Sequence, residues 1–306
     1  MRTLVKYAGL LLLSLCFVMP APASAQVAIS VRVGPPALPV YEQPPCPEDG
    51  YIWTPGYWAY GDDGYYWVPG VWVAPPRVGV LWTPGYWGFA DGLYVWHAGY
   101  WGPHVGFYGG INYGFGYGGV GFVGGHWIGR HFAYNTAVVR VNRTVVRNVY
   151  VDRTVVHNTT VVNRVSFNGR GGVMARPTAR EEAFDHERHF EPTSNQFSHE
   201  RAARDDRHEF VSSSRGRPNN VDSINGRRYN QQQRIANGVR SGQMTAGEAA
   251  RAEHHEQNIN RHIEADRSAN GGRLTPQERH NINERQNAAS RQIYNEKHND
   301  RTAHGR

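Results

Sequence analysis

The sequence predicts a mostly β N-terminal half, an antiparallel aromatic meander plus Val-rich strands, followed by a polar α-helical C-terminal region. This is α+β in separate segments, with disordered linkers between them. Three observations lead there. One tryptophan phrase recurs four times between residues 51 and 101. A run dense in valine follows at 136–168. Beyond it aromatic residues thin out, and one helix-start phrase occurs twice, 30 residues apart.

Residues 1–25 read as an export signal: Arg2 and Lys6, an apolar stretch from Ala8 to Met19, then Ala23-Ser-Ala25 with cleavage expected after Ala25. The apolar run is too short to anchor in a bilayer, so no transmembrane anchor is expected after signal removal. Leu15 stands before Cys16 where lipid attachment wants a small residue, which disfavours a lipoprotein. The mature chain then keeps Cys46 alone, which excludes an intramolecular disulfide; it is either inert or pairs with a partner. Residues 26–49, with Pro35, Pro36, Pro39, Pro44, Pro45 and Pro47, predict an extended lead-in of polyproline character rather than a packed element.

Residues 50–135 form the aromatic and glycine-rich β-repeat region. Its phrases run Trp53-Thr-Pro-Gly56-Tyr-Trp58, Trp67-Val-Pro-Gly70-Val-Trp72, Trp82-Thr-Pro-Gly85-Tyr-Trp87 and Trp96-His-Ala-Gly99-Tyr-Trp101. They hold eight of the nine tryptophans at spacings of 14, 15 and 14 residues. Tyr51/Trp53, Tyr65/Trp67, Val80/Trp82 and Tyr94/Trp96 have the period of two that puts both side chains on one strand face. The two Trp of a phrase are five apart, on opposite faces of a flat strand. Pro cannot donate to a ladder and Gly tolerates a positive φ, so a bulge or bend at Pro-Gly is expected to bring the second Trp back. A tight hairpin at Pro-Gly is the alternative. Stronger turn signals lie between phrases, at Gly61-Asp-Asp-Gly64, Pro75 to Gly79 and Ala90-Asp91-Gly92, so the expectation is a meander of bent strands. For the glycine-dense run 102–129 two readings stay open, further short strands covering the meander or a flexible apolar loop.

These phrases resemble the YXWGXW (WXXGXW) repeat family of exported bacterial proteins. The resemblance covers about 50 of 306 residues. It implies an envelope address and no established chemistry. Ala98 replaces Pro in the last copy, which predicts a looser bend there.

In residues 136–168, Val141, Val146, Val151, Val156 and Val161 recur every fifth residue. Such β-branched density predicts strands, broken by turns at Asn142, Asn148, Asp152 and Asn158, either as a short solenoid coil or as strand-turn units. Residues 169–227 predict a polar linker, partly helical over 179–210 and Ser/Gly/Asn-rich over 212–226. Residues 228–300 predict a helical repeat pair, with helices at about 228–238, 246–267 and 276–297. Thr245 with Glu248 and Thr275 with Glu278 are capping boxes, and Pro276 suits a first helical position. The apolar stripe of Ile259, Ile263, Ile282 and Ile293 is thin, which suggests an extended pair rather than a compact bundle. The Leu274-Thr-x-x-Glu phrase also resembles the Leu-Thr-x-x-Gln motif of helical periplasmic stress chaperones, with Glu in place of Gln.

Chemistry is sparse. His186 and His189 stand at i, i+3, where a helix face could share a metal ion. Asp266 and Glu278 bracket a loop resembling a degenerate calcium hand, but thirteen residues long where twelve are needed. Neither makes a convincing metal site, and no cofactor is expected. Nothing pairs a nucleophile with a base, and Asp62 and Asp63 sit in a solvated turn, so the chain reads as non-catalytic. Its net charge falls from +7 to +5 once Arg2 and Lys6 leave, which points to an acidic envelope polysaccharide or headgroup rather than to nucleic acid. The expectation is a secreted structural or interaction protein, periplasmic or outer-envelope associated, that meets an envelope component or itself. The alternatives are a glycan-binding module whose repeat tryptophans form exposed platforms, and a His-rich metal or stress helper.

Overall fold

The computed structural model describes residues 29–301, apart from 42, 156–163, 215, 217, 219–223 and 272–273. The export segment 1–25 and the valines 156 and 161 lie outside the described residues. The N-terminal half is β-rich with antiparallel pairing, and the C-terminal region is helical.

The four phrases pair as two long hairpins rather than one continuous meander. In the first, Ile52–Thr54 and Tyr57–Gly61 run out, then Gly64–Val68 and Val71–Val73 return. Their register sets Trp53 opposite Trp72 and Trp58 opposite Trp67. In the second, Leu81–Thr83 and Tyr86–Ala90 pair with Leu93–His97 and Tyr100–Gly102, setting Trp82 opposite Trp101 and Trp87 opposite Trp96. Thus phrases one and two are the two legs of one hairpin, and phrases three and four those of the other. The turns are those the sequence marks. Asp91 and Gly92 both have positive φ, as a two-residue primed turn requires. Gly64, at φ 97°, closes the first hairpin after Asp62-Asp63.

Both legs of each hairpin break at the phrase centre, as the Pro-Gly reading anticipates, but for a different reason. Gly56, Gly70, Gly85 and Gly99 do not adopt positive φ. Each instead has no room for a side chain. A Cβ on Gly56 would collide with the Trp67 ring, and one on Gly70 with the Trp53 ring. Gly85 stands in the same relation to Trp96, and Gly99 to Trp82. The first Trp of each phrase therefore lies over the glycine of the partner phrase, and the exchange is reciprocal. Ala98 leaves the break unchanged, against the expectation of a looser bend, because the glycine and the opposing indole set it.

The lead-in is packed, a correction to its reading as a free extended segment. Ser30–Val31 joins the edge of Leu93–His97. Tyr41 packs edge-on to Trp67, and Leu38, Gln43 and Cys46 are buried. The cause lies in polyproline geometry: its carbonyls have no internal partners, so they are free to accept from core side chains. Ala37 accepts from Trp58 Nε1, Pro44 from Trp72 Nε1, and Val33 from the Tyr65 hydroxyl.

The glycine-dense run takes the strand reading, with Asn112–Gly114, Tyr117–Gly118 and Gly125–Ile128. Tyr117 donates to the carbonyls of both Trp53 and Trp82, which ties the two hairpins across their seam. The described residues of the Val-rich segment are mostly turn and irregular backbone, contrary to its β-branched composition. Among its described residues only Val149–Tyr150 and Phe167–Gly169 begin strand pairings. Asn142 and Asp152 each accept from the N–H two residues on, and these local bonds pre-empt a ladder.

Six helices follow. They are α1 Ala179–Asp185, α2 Ser194–Asp205, α3 Val211–Ser214, α4 Ile224–Arg240, α5 Ala246–Ala269 and α6 Pro276–Lys297. The capping boxes at Thr245 and Thr275 are formed, with further ones at Thr178 and Thr193. Helices α4, α5 and α6 all touch one another, a compact three-helix bundle rather than an extended pair. The thin isoleucine stripe suffices because α4 adds Ile224 and Ile235, and the loops add Met244 and Leu274.

Candidate functional site

The repeat tryptophans pair across the legs of each hairpin and share one hydrophobic core. Trp53, Trp58, Trp67, Trp72, Trp82, Trp87 and Trp101 are buried, and only Trp96 is half-exposed. Each cross-strand indole pair has centroids 5.3–5.5 Å apart and planes inclined by 52–65°. That arrangement suits the aromatic quadrupole better than a sandwich. The second Trp of each phrase donates its N–H outward to another segment. Besides Trp58 and Trp72, Trp87 donates to Trp58 O at 2.8 Å and Trp101 to Gln196 Oε1 at 2.8 Å.

At the paired Pro-Gly breaks the strands leave a cavity of about 190 Å³. Tyr57, Trp82, Trp96 and Tyr113 line it from the hairpins and their cover, and α2 closes it with Gln196, Phe197, His199 and Glu200. Glu200 accepts from the hydroxyls of Tyr57 at 3.0 Å and Tyr66 at 3.3 Å. Burial, and secondarily the Glu200 charge, pushes the Tyr57 hydroxyl well above its ordinary pKa. His199 bonds the Pro69 carbonyl at 2.7 Å, and burial, only partly offset by that bond, lowers its pKa and favours the neutral ring. Ala98 and Phe197 form the exposed rim. The sequence reading missed these α2 residues. Thr193 with Gln196 three later is the same capping pattern recognised at Thr245 and Thr275, and would have placed the start of the helix.

The candidate metal ligands are not brought together. His186 caps α1 and is exposed, while His189 lies beyond that helix and stacks on Tyr100 at 3.7 Å. The shared helix face needed by an i, i+3 pair is therefore absent, because α1 ends at Asp185. Glu278 accepts from Thr275 N at 2.7 Å and from Asn270 Nδ2 at 2.8 Å, and Asp266 meets this turn through its carbonyl. That carboxylate caps α6. Among the described residues no three His, Cys, Asp or Glu side chains cluster as metal ligands. Cys46 is fully buried, its thiol pushed up to about 12 chiefly by desolvation, which removes it from pairing with a partner in the folded chain.

A second cavity of about 440 Å³ lies between the lead-in and α6. Arg140, Arg227, Arg279 and His280 line it, with Glu284 its one acid. Among the described residues no helix is long and apolar enough to cross a membrane.

The hairpins coincide with two copies of the WXXGXW repeat, matched at residues 49–73 and 77–101. No curated protein and no solved structure matches the chain.

Proposed function

We propose that this chain is a non-catalytic structural or interaction protein of the bacterial cell envelope, exported by residues 1–25. One observation carries the reading: seven of the eight repeat tryptophans are buried within the double hairpin. Rings locked over opposing glycines build a rigid support rather than an open platform for a polymer. The carboxylate at the seam, Glu200, is held by the hydroxyls of two tyrosines. The basic cavity at the lead-in supports an acidic polymer as the external partner, since its cations outnumber its single acid. A glycan platform of coplanar exposed repeat indoles would need several open rings, and of the eight repeat tryptophans Trp96 alone is half-exposed.

Acrylamide quenching of the intact protein, with and without peptidoglycan, tests the scaffold. The expected result is weak quenching that the polymer leaves unchanged. Strong quenching relieved by polysaccharide would replace the scaffold with the glycan reading. Retention on an acidic polysaccharide column should be salt-sensitive and reduced by Arg279→Gln with His280→Gln. Appearance of the full-length chain in the cytoplasm only would remove the envelope assignment.

A further inference from the structure

The cavity at the Pro-Gly seam differs in chemistry from the rest of the molecule. Although the protein carries a net +7, among the described residues no Lys or Arg lines this cavity, and Glu200 is its one charged side chain. Five aromatic side chains line it: Tyr57, Trp82, Trp96, Tyr113 and Phe197. Their hydroxyls are already committed, Tyr57 donating to Glu200 and Tyr113 to the Gly85 carbonyl at 2.7 Å. Thr54 likewise donates to Val71 O at 2.8 Å. The lining side-chain N–H donors are those of Gln196, His199 and the indoles of Trp82 and Trp96, none of which carries a full positive charge.

We propose that this cavity binds a small organic cation, an alkylammonium or quaternary ammonium group. A sugar could use those uncharged donors but brings no positive charge to the Glu200 carboxylate. An anion would face Glu200 with no opposing cation. A cation meets a carboxylate and aromatic walls, the combination that attracts quaternary ammonium through the ring quadrupole. Size agrees: about 190 Å³ is less than the ~300 Å³ at which drug-sized pockets begin, so a head group fits and an oligosaccharide does not. The rim at Ala98 and Phe197 leaves an entrance, with Phe197 48% exposed.

Calorimetry and tryptophan fluorescence of the whole mature chain test this, with choline and tetramethylammonium as probes and uncharged 3,3-dimethyl-1-butanol as the shape control. Saturable binding of both cations, at least about tenfold tighter than the alcohol, is expected. Glu200→Gln keeps the acceptor for Tyr57 and removes the charge, and should weaken binding about tenfold. Phe197→Leu keeps rim bulk without a ring and should weaken it severalfold; it remains informative if the Glu200 variant fails to fold. Equal affinity for the alcohol, no saturable signal, or unchanged choline binding in Phe197→Leu would overturn the proposal. Vesicles separate the sources of the cation. Co-sedimentation with phosphatidylcholine but not phosphatidylglycerol assigns a lipid head group, and choline binding without co-sedimentation assigns a free solute; either supports the site.

Discussion

At the scale of single residues, the phrase is explained by a swap. Trp53 occupies the space over Gly70 while Trp67 occupies the space over Gly56, and the second hairpin repeats the exchange with Trp82, Gly99, Trp96 and Gly85. The glycine is thus a steric necessity and the proline an accessory. Gly56→Ala should lower stability by about 1–3 kcal/mol through overpacking, whereas Pro55→Ala should cost less than about 1 kcal/mol, because Ala98 already serves in that position. Urea denaturation of the two variants separates them; equal losses would return the proline to the controlling role. The motif was readable in the sequence because Trp and Gly sit in register. The partner of each ring was not, since it lies on the other leg of a hairpin. Positive φ was the wrong reason for these glycines: nothing local distinguishes a glycine needed for φ from one needed for space.

Among elements, the helices were the most legible. Thr-x-x-Glu is a local signal, so α5 and α6 begin where their capping boxes put them. The strands of the valine segment failed for the converse reason, since Asn142 and Asp152 bond their own neighbours before any ladder forms. Helix α5 carries a further local tension. Glu256 is buried, neither of its carboxylate oxygens has a hydrogen-bond partner among the described residues, and burial raises its pKa to about 7. The folded state therefore holds this proton more tightly than the unfolded chain. Its contribution is complete below the ordinary value of 4.5 and is lost as pH rises through about 7. Glu256→Gln should raise stability at pH 8 by about 1–3 kcal/mol and flatten this part of the pH dependence. Thermal melts at pH 5 and pH 8 measure it; a variant no more stable at pH 8 than the parent would show that the carboxylate is solvated.

For the whole molecule, the joint between the helical bundle and the β-core is ionic and buried. Glu48, from the lead-in, accepts from Arg234 Nε at 3.1 Å and from Lys297 Nζ at 2.6 Å. Both cations are almost fully buried, and Asn230 adds a bond to the Trp72 carbonyl. Burial would raise the Glu48 carboxyl, but the two cations outweigh it and hold it below 4.5. This contribution is present above the ordinary carboxylate value and lost as pH falls through the lowered one, the opposite sense to Glu256. Glu48→Gln strands two buried cations and should cost about 3–5 kcal/mol, with the helices released first. Hydrogen exchange would show α4 and α6 losing protection before the hairpins; uniform loss would mean that the joint is not a separate unit. None of this was visible in the sequence, where Glu48 is one acid in a Pro-rich stretch and its partners lie 186 and 249 residues away.

Four indole pairs at nearly equal separation and tilt also give the chain a built-in optical signature. Chromophores held this close couple their electronic transitions, so the circular dichroism spectrum should carry a split aromatic band superposed on the backbone signal. That band reports the paired hairpins alone, independently of the helices. It offers a label-free way to follow the aromatic framework while the remainder of the molecule is altered.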